Sequence, residues 1–392
     1  MIAWLLISFF VLLFLGVPIA MSLGLSAMGG ILFLGGGSTV TIAQRMFEGM
    51  NSFALLAIPL YTFAGFTMSK GGISKRLMDF CYSIVGHIYG GLAHVNVLSS
   101  MIFAGISGSA VADTAGVSGM FMPEMIRKGY SKNFTVAVTA ISSTIGIIIP
   151  PSIPMVVIAG ICGISTGKLF LGGIIPGILC GLAQMIVSYF LAKKEGVPKE
   201  PGHFTIGPVL HGLWESWPAL LMPIIIVGTI TMGIVSPTEA GVIAVVYGLF
   251  AGGIIYRELK WEDIKFAFAE TVRTSGRIFI VIGAAKLYTV MLTTAGFDKW
   301  VAKTMLGFST NPTVILIMIL LIFFIVTMFM ESIATLTLFM PILYPIALGV
   351  GINPIVLSVL ITVVIGIGLV TPPVGMCIYV ACDLMDTTCL LY

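Results

Sequence analysis

Charge is what this 392-residue chain has least of: 9% of its residues are Asp, Glu, Lys or Arg, while 58% are hydrophobic. Soluble domains carry roughly 25% charged residues, and no soluble core buries so much apolar surface. The first charged side chain is Arg45, and the residues before it form two apolar runs broken at Gly16-Val17-Pro18. A crossing needs about 20 apolar residues, so this stretch reads as two membrane spans. The start Met1-Ile2-Ala3-Trp4 has no basic n-region and no small-residue cleavage site follows, which excludes a signal peptide. A net charge of +3 gives no footprint for nucleic acid. Histidine is scarce too, and His87, His94, His203 and His211 lack metal-ligand spacing. Cys81, Cys162, Cys180, Cys377, Cys382 and Cys389 form no C-x-x-C pair and read as small membrane-core residues.

What is present is a series of apolar runs, at 1–15, 17–35, 53–69, 134–162, 170–192, 218–235, 238–256, 267–296 and 354–381. Two further runs, 94–127 and 313–348, are long enough for a helix, a polar or Gly-rich tip and a returning helix. They predict re-entrant hairpins. Irregular backbone at membrane depth is tolerated only where protein or a water-filled cavity satisfies it, so a polar tip implies a site. With both runs as hairpins, fourteen Lys and Arg residues, clustered at 70–76, 127–132, 193–199, 257–265 and 273–277, fall on one face. Arg45, Lys168, Lys299 and Lys303 fall on the other, and Lys286 lies within a span. By the positive-inside rule the N-terminus is outside, the first hairpin enters from the cytoplasm and the second from the exterior.

An internal repeat accompanies this pattern. Gly16-Val17-Pro18-Ile19-Ala20 pairs with Val235-Ser236-Pro237-Thr238-Glu239-Ala240, Phe121-Met122-Pro123 with Phe339-Met340-Pro341, and the Pro150-Pro151 run with Pro372-Pro373. Five crossings separate Pro18 from Pro237, and an odd number inverts the second copy. The fold class expected is therefore an all-α polytopic membrane protein with an inverted repeat, two re-entrant hairpins and two discontinuous helices. The first copy is 1–217: scaffold spans 1–69, interfacial arm 70–90, hairpin 94–127, broken helix 134–162 and span 170–192. The second is 218–392: spans 218–256 and 267–296, arm 297–310, hairpin 313–348 and broken helix 354–381. The repeat calls for a tenth crossing after these, which predicts a truncated or altered C-terminus at Tyr392.

Chemistry concentrates at the tips and breaks. Ser107-Gly108-Ser109 supplies hydroxyls and unshielded carbonyls, the oxygen ligands a hard cation such as Na⁺ requires, and Asp113 supplies a negative charge. With the Phe-Met-Pro triplets superposed, Asp113 falls on Glu331 and Thr114 on Ser332, beside Thr335. A carboxylate at membrane depth is costly and points to function; the alternative is that Asp113 or Ser332 merely caps the returning helix. Ile149-Pro150-Pro151-Ser152 and Thr371-Pro372-Pro373 should break their helices, freeing carbonyls for a cation and aiming positive helix ends at an anion. A kinked core helix is the plainer alternative. Glu239 can favour a helix N-terminus, and Lys286 can bind a carboxylate, snorkel or pair with an acid.

Leu56-Ala57-Ile58-Pro59-Leu60, Gly71-Gly72-Ile73-Ser74-Lys75-Arg76, Gly86-His87 with Gly90-Gly91-Leu92, the 107–113 tip, 146–154, Pro237-Thr238-Glu239-Ala240 and Thr371-Pro372-Pro373-Val374-Gly375 together resemble the large membrane subunit of tripartite ATP-independent periplasmic (TRAP) transporters. The resemblance covers nearly the whole chain. It departs at Glu331-Ser332-Ile333, where many relatives follow the acid with Leu-Thr, and at the C-terminus. It implies a Na⁺-coupled, elevator-type importer of a small organic acid such as a C4-dicarboxylate, sialic acid or another sugar acid. Its implied setting is the bilayer of the bacterial inner membrane, with a small four-helix membrane subunit and a periplasmic substrate-binding protein as partners and no cofactor besides Na⁺. One Na⁺ site would comprise Ser107, Gly108, Ser109, Asp113, Pro150 and Ser152, and a second Glu331, Ser332, Thr335, Val370 and Thr371. Ser109, Thr114, Pro151, Ser332, Pro372 and Gly375 would flank the substrate. The rivals are a stand-alone carboxylate symporter, a passive channel, and an intramembrane hydrolase using Ser107 or Ser109, which has only His87 and His94 nearby in sequence as bases.

Overall fold

The computed structural model describes residues 1–34, 39–197, 205–385 and 387; Lys199, His203 and Cys389 lie outside the described residues. These are all helix, turn and loop, with no strand among the described residues. Among the described residues six helices are long and apolar enough to cross a bilayer, the longest being Trp261–Thr294, and shorter apolar helices of 10–17 residues include Ile2–Phe14, Gly91–Ser107 and Ile153–Cys162. Local chemistry sets many starts. Asn311-Pro312, Asn353-Pro354 and Ser236-Pro237 each combine a side-chain cap with proline in the first turn, where its missing N–H costs nothing. Glu239 is part of the last of these: its carboxylate accepts the Ser236 N–H at 2.7 Å while the Ser236 hydroxyl accepts the Glu239 N–H at 3.3 Å. That is the helix-start role, realised as a capping box.

The first hairpin is Gly91–Ser107, a turn at Gly108, the short helix Ala110–Asp113, a π-helical turn Thr114–Ser118 and the return Gly119–Arg127. The second is Pro312–Thr327 and Ser332–Gly349 joined by a short tip. Each proline pair interrupts a helix, between Lys132–Ser143 with its 3₁₀ extension Thr144–Ile147 and Ile153–Cys162, and between Pro354–Gly368 and Met376–Leu384. The breaks themselves were legible; the plain kinked helix is not what forms.

Two elements differ from the expectation drawn from the sequence. An amphipathic helix, Thr39–Met50, lies along Trp261–Thr294 where no element was expected. The helix Ile206–Thr231 begins well before the apolar run at 218, so residue 217 lies within a helix rather than at a boundary. Lys286 is exposed on Trp261–Thr294, with its stem against Gly49 beside the Arg45–Glu48 ion pair.

Two apolar cores result. One runs through both hairpins, both broken helices and the helices Ala57–Lys70 and Ile73–Val85. The smaller joins Ile2–Phe14, Ile19–Leu34, the distal half of Trp261–Thr294 and one face of Ser332–Gly349. The arm helix Ile73–Val85 is pinned to the rest of the chain at its start. Arg76 pairs with Glu258 at 2.7 Å, stacks 4.1 Å over the Tyr256 ring and donates to the Gly72 carbonyl at 2.9 Å.

Candidate transport site

Each hairpin tip is hydrogen-bonded to a helix break. The Ile153 N–H donates to the Gly108 carbonyl at 3.1 Å, and the Val374 N–H donates to the Met328 carbonyl at 3.1 Å. Gly108 makes the first contact possible: its φ is +65°, a conformation that disfavours side chains, and a Cβ there would meet the Pro151 carbonyl oxygen at 2.7 Å. Gly146 faces the same tip from the other side, where a Cβ would make ordinary contacts, 3.5 Å from the Ser109 carbonyl oxygen and 3.7 Å from the Asp113 Cβ.

The packing is crossed between the halves. Ile153–Cys162 packs on the return arm of the second hairpin, Ser332–Gly349. Met376–Leu384 packs on the short helix and π turn of the first hairpin and on Lys132–Ser143. Where Pro354–Gly368 meets Thr144–Ile147, a Cβ on Gly366 would lie 3.5 Å from the Thr144 Cβ. Two tips and two breaks therefore form one body.

At the first tip, Ser107, Gly108, Asp113, Pro150, Pro151 and Ser152 are buried and Ser109 is half-buried. The Ser107 hydroxyl is buried with no hydrogen-bond partner. Leaving a buried hydroxyl unpaired costs about 1–3 kcal/mol, so an oxygen ligand held ready at a tip fits a cation. The Ser109 hydroxyl accepts the Ala112 N–H at 3.4 Å, and the Ser152 hydroxyl bridges its break by donating to the Ile147 carbonyl at 2.5 Å and accepting the Met155 N–H at 3.3 Å. Asp113 is fully buried on the hairpin; an acid at such depth costs about 2.5–3.5 kcal/mol if charged, a burden that a bound cation relieves.

At the second tip the cap is Glu331, not Ser332. The Glu331 carboxylate accepts the Ile333 N–H at 2.9 Å, the Ala334 N–H at 3.4 Å and the Ser332 hydroxyl proton at 2.6 Å. Thr335, fully buried, donates to the Glu331 carbonyl at 3.1 Å. By role Glu331 thus matches the cap Ser109, not Asp113, which ends its short helix instead of starting it. Val370 is half-buried, and the Thr371 hydroxyl donates to the Ile367 carbonyl at 2.6 Å. Pro372 is exposed, unlike Pro150 and Pro151, while Gly375 is buried with φ +54° and precedes the resumed helix.

Thr114 is not at an open face. Its fully buried hydroxyl lies 2.6 Å from the Ser143 hydroxyl and donates to the Ala110 carbonyl at 2.9 Å, inside the packing between hairpin and broken helix. The sequence reading also left out Ser143, Thr144 and Cys377. Cys377 is fully buried in the resumed helix Met376–Leu384, which packs on Ala110–Asp113, Thr114–Ser118 and Lys132–Ser143. The described cysteines are free thiols.

A helical body in which two hairpins dock on two broken helices defines a polytopic membrane transporter. The architecture is shared with the YdaH transporter of Alcanivorax borkumensis, at a TM-score of 0.60 and 14% identity over 89% of this chain and 81% of that one. It is shared also with MtrF of Neisseria gonorrhoeae, at 0.57 and 12% over 88% and 78%. The chain belongs to the tripartite ATP-independent periplasmic transporter family, DctM component, whose model matches residues 6–390. It is 38% identical over 373 residues to the isethionate TRAP transporter permease protein DctMQ of Oleidesulfovibrio alaskensis, spanning 95% of this chain but 59% of that protein. It is 36% identical over 375 residues to the sialic acid TRAP transporter large permease protein SiaM of Vibrio cholerae, covering 96% and 88%. With the C4-dicarboxylate TRAP transporter large permease protein DctM of Pseudomonas aeruginosa it shares 37% over 359 residues, covering 92% and 84%.

Proposed function

We propose that this chain is the large permease subunit of a Na⁺-coupled importer of a small organic acid. In this reading it works in the bacterial inner membrane with its N-terminus on the periplasmic side, beside a small four-helix membrane subunit, and receives its substrate from a periplasmic binding protein. The observation that carries the proposal is the docking of both tips on both breaks, with the unpartnered Ser107 hydroxyl at one of them. Na⁺ binding would join hydroxyl and carbonyl oxygens of tip and break. The N-termini of Ile153–Cys162 and Met376–Leu384 carry partial positive charge that suits an anion beside the filled cation sites.

The relatives are named for isethionate, sialic acid and C4-dicarboxylates, which are all organic anions. Alternating access follows an elevator-type scheme, in which the crossed body moves past the scaffold core around Ile2–Phe14, Ile19–Leu34 and Trp261–Thr294. The test is uptake of labelled organic acids by liposomes holding the chain with its partner subunits, with and without an inward Na⁺ gradient. Gradient-dependent uptake that also needs the binding protein supports the proposal. Uptake indifferent to Na⁺ sinks the coupling, and uptake undiminished without the binding protein makes the chain a stand-alone symporter.

A further inference from the structure

Asn96 is fully buried on the entry arm of the first hairpin, Gly91–Ser107, which packs along Lys132–Ser143. Its amide is bonded at both ends to that second helix. The Nδ2–H donates to the Thr139 hydroxyl at 3.0 Å, and the Oδ1 accepts the Ser142 hydroxyl proton at 3.2 Å, a proton shared with the Thr139 carbonyl at 3.1 Å. Thr139 and Ser142 are fully buried too. An amide so deep is costly beside an apolar side chain of similar size, and what it supplies in return is register between packed helices. The second half of the chain shows that the packing itself does not need one. There Pro312–Thr327 packs on Pro354–Gly368 with no side-chain amide in either helix, and Thr327, Ser358 and Thr362 donate to carbonyls of their own helices.

The bridge stands where register bears on the site. Asn96 and Ser107 are eleven residues apart, about three turns, so they share one face of the arm. Ser142 lies just before Thr144–Ile147, the turn that leads into the Pro150-Pro151 break. Beyond Ser107 the arm is held again, by the Gly108 carbonyl on the Ile153 N–H. We infer that Asn96 is a positioning residue for the first tip: by tying Gly91–Ser107 to Lys132–Ser143 it fixes how far the tip reaches along the break, and so aligns the Ser107 hydroxyl with the oxygens there. The inference rests on the Na⁺-coupled reading above.

The experiment compares the wild type, Asn96→Leu and the double variant Thr139→Val/Ser142→Ala in a Na⁺ titration, read as uptake and, independently, as Na⁺-induced thermal stabilisation of purified protein without substrate. Leucine offsets the lost bonds by burying apolar surface, so Asn96→Leu should melt within about 3 °C of the wild type in the absence of Na⁺. Its half-saturating Na⁺ concentration should rise about three- to tenfold by both readouts, with the maximal rate within about twofold. The double variant should shift the midpoint by a similar factor, and adding Asn96→Leu to it should change little more, because the three side chains act through one bridge. An unchanged Na⁺ midpoint in Asn96→Leu overturns the inference, whatever happens to its melting temperature. If Asn96→Leu does not fold, the double variant decides by the same criterion, and failure of both to fold overturns the inference because the bridge would then serve the fold alone. A wild type whose uptake and stability ignore Na⁺ removes the coupled reading and the inference with it, whereas a Na⁺-responsive wild type with unshifted variants removes the inference alone.

Discussion

The Ile153 backbone N–H is satisfied by the Gly108 carbonyl, 45 residues earlier in the chain, at 3.1 Å. The broken helix resumes on a donor bonded not to its own chain segment but to the tip of the first hairpin, and Val374 with Met328 repeats the arrangement in the second half. Tip and break are thereby one unit. A substitution at either should disturb both.

Gly108→Ala tests this. The new methyl would sit 2.7 Å from the Pro151 carbonyl oxygen in a left-handed conformation that alanine avoids. We expect a loss of about 1–3 kcal/mol in the stability of the purified protein, measured by thermal unfolding, together with loss of uptake. Gly116→Ala, with open space around it, should change neither.

Glu331 separates capping from charge. Its carboxylate accepts two backbone N–H groups and the Ser332 hydroxyl. Glu331→Ala removes the cap and should cost about 0.5–2 kcal/mol in thermal unfolding. Glu331→Gln keeps an accepting oxygen and should recover most of that stability. If its Na⁺ dependence is also that of the wild type, Glu331 orients the second tip without serving as a charged ligand.

Arg76 fastens the arm. Arg76→Ala removes an ion pair, a cation–π contact and a carbonyl contact at once and should lower stability by about 1–2 kcal/mol. Arg76→Lys should restore only part, because an ammonium cannot pair and stack as the planar guanidinium does. Thermal unfolding of the two variants side by side measures the difference.

Asp79, on the same arm, gives a pH signature. Partial burial raises its pKa above the ordinary aspartate value, Glu215 adding to the rise while Lys75 and Arg76 oppose it. A raised carboxyl favours the folded arm when protonated, so its stabilising contribution is full below the ordinary value and is lost as pH rises through the raised one. Asp79→Asn should match the wild type in melting temperature below that window and exceed it at pH 7 by at most about 2 °C, since the group is substantially exposed.

Much of this was legible from sequence because the physics was local. Two proline pairs cannot continue a helix, and Ser107-Gly108-Ser109 cannot lie idle in an apolar run. The pairing of Asp113 with Glu331 was not legible. It was aligned on the Phe-Met-Pro triplets, but 12 residues separate Ser109 from Phe121 and 8 separate Glu331 from Phe339. The extra turn is the short helix Ala110–Asp113, which separates the acid from the cap Ser109. The helix Thr39–Met50 escaped because Gln44, Arg45 and Glu48 hide an apolar stripe of Ile42, Met46 and Met50 too sparse for a span.

The most direct measurement is the Na⁺ titration of uptake for Ser107→Ala beside Thr135→Val. Both side chains are buried hydroxyls without a partner, but Thr135 lies in Lys132–Ser143, well before the break, whereas Ser107 is at the tip. The account predicts that Ser107→Ala raises the half-saturating Na⁺ concentration about tenfold or more, as loss of a charge-assisted contact does, while keeping wild-type thermal stability without Na⁺. Thr135→Val should leave the titration unchanged. Equal Na⁺ midpoints for Ser107→Ala and the wild type would contradict a cation site at the hairpin tip.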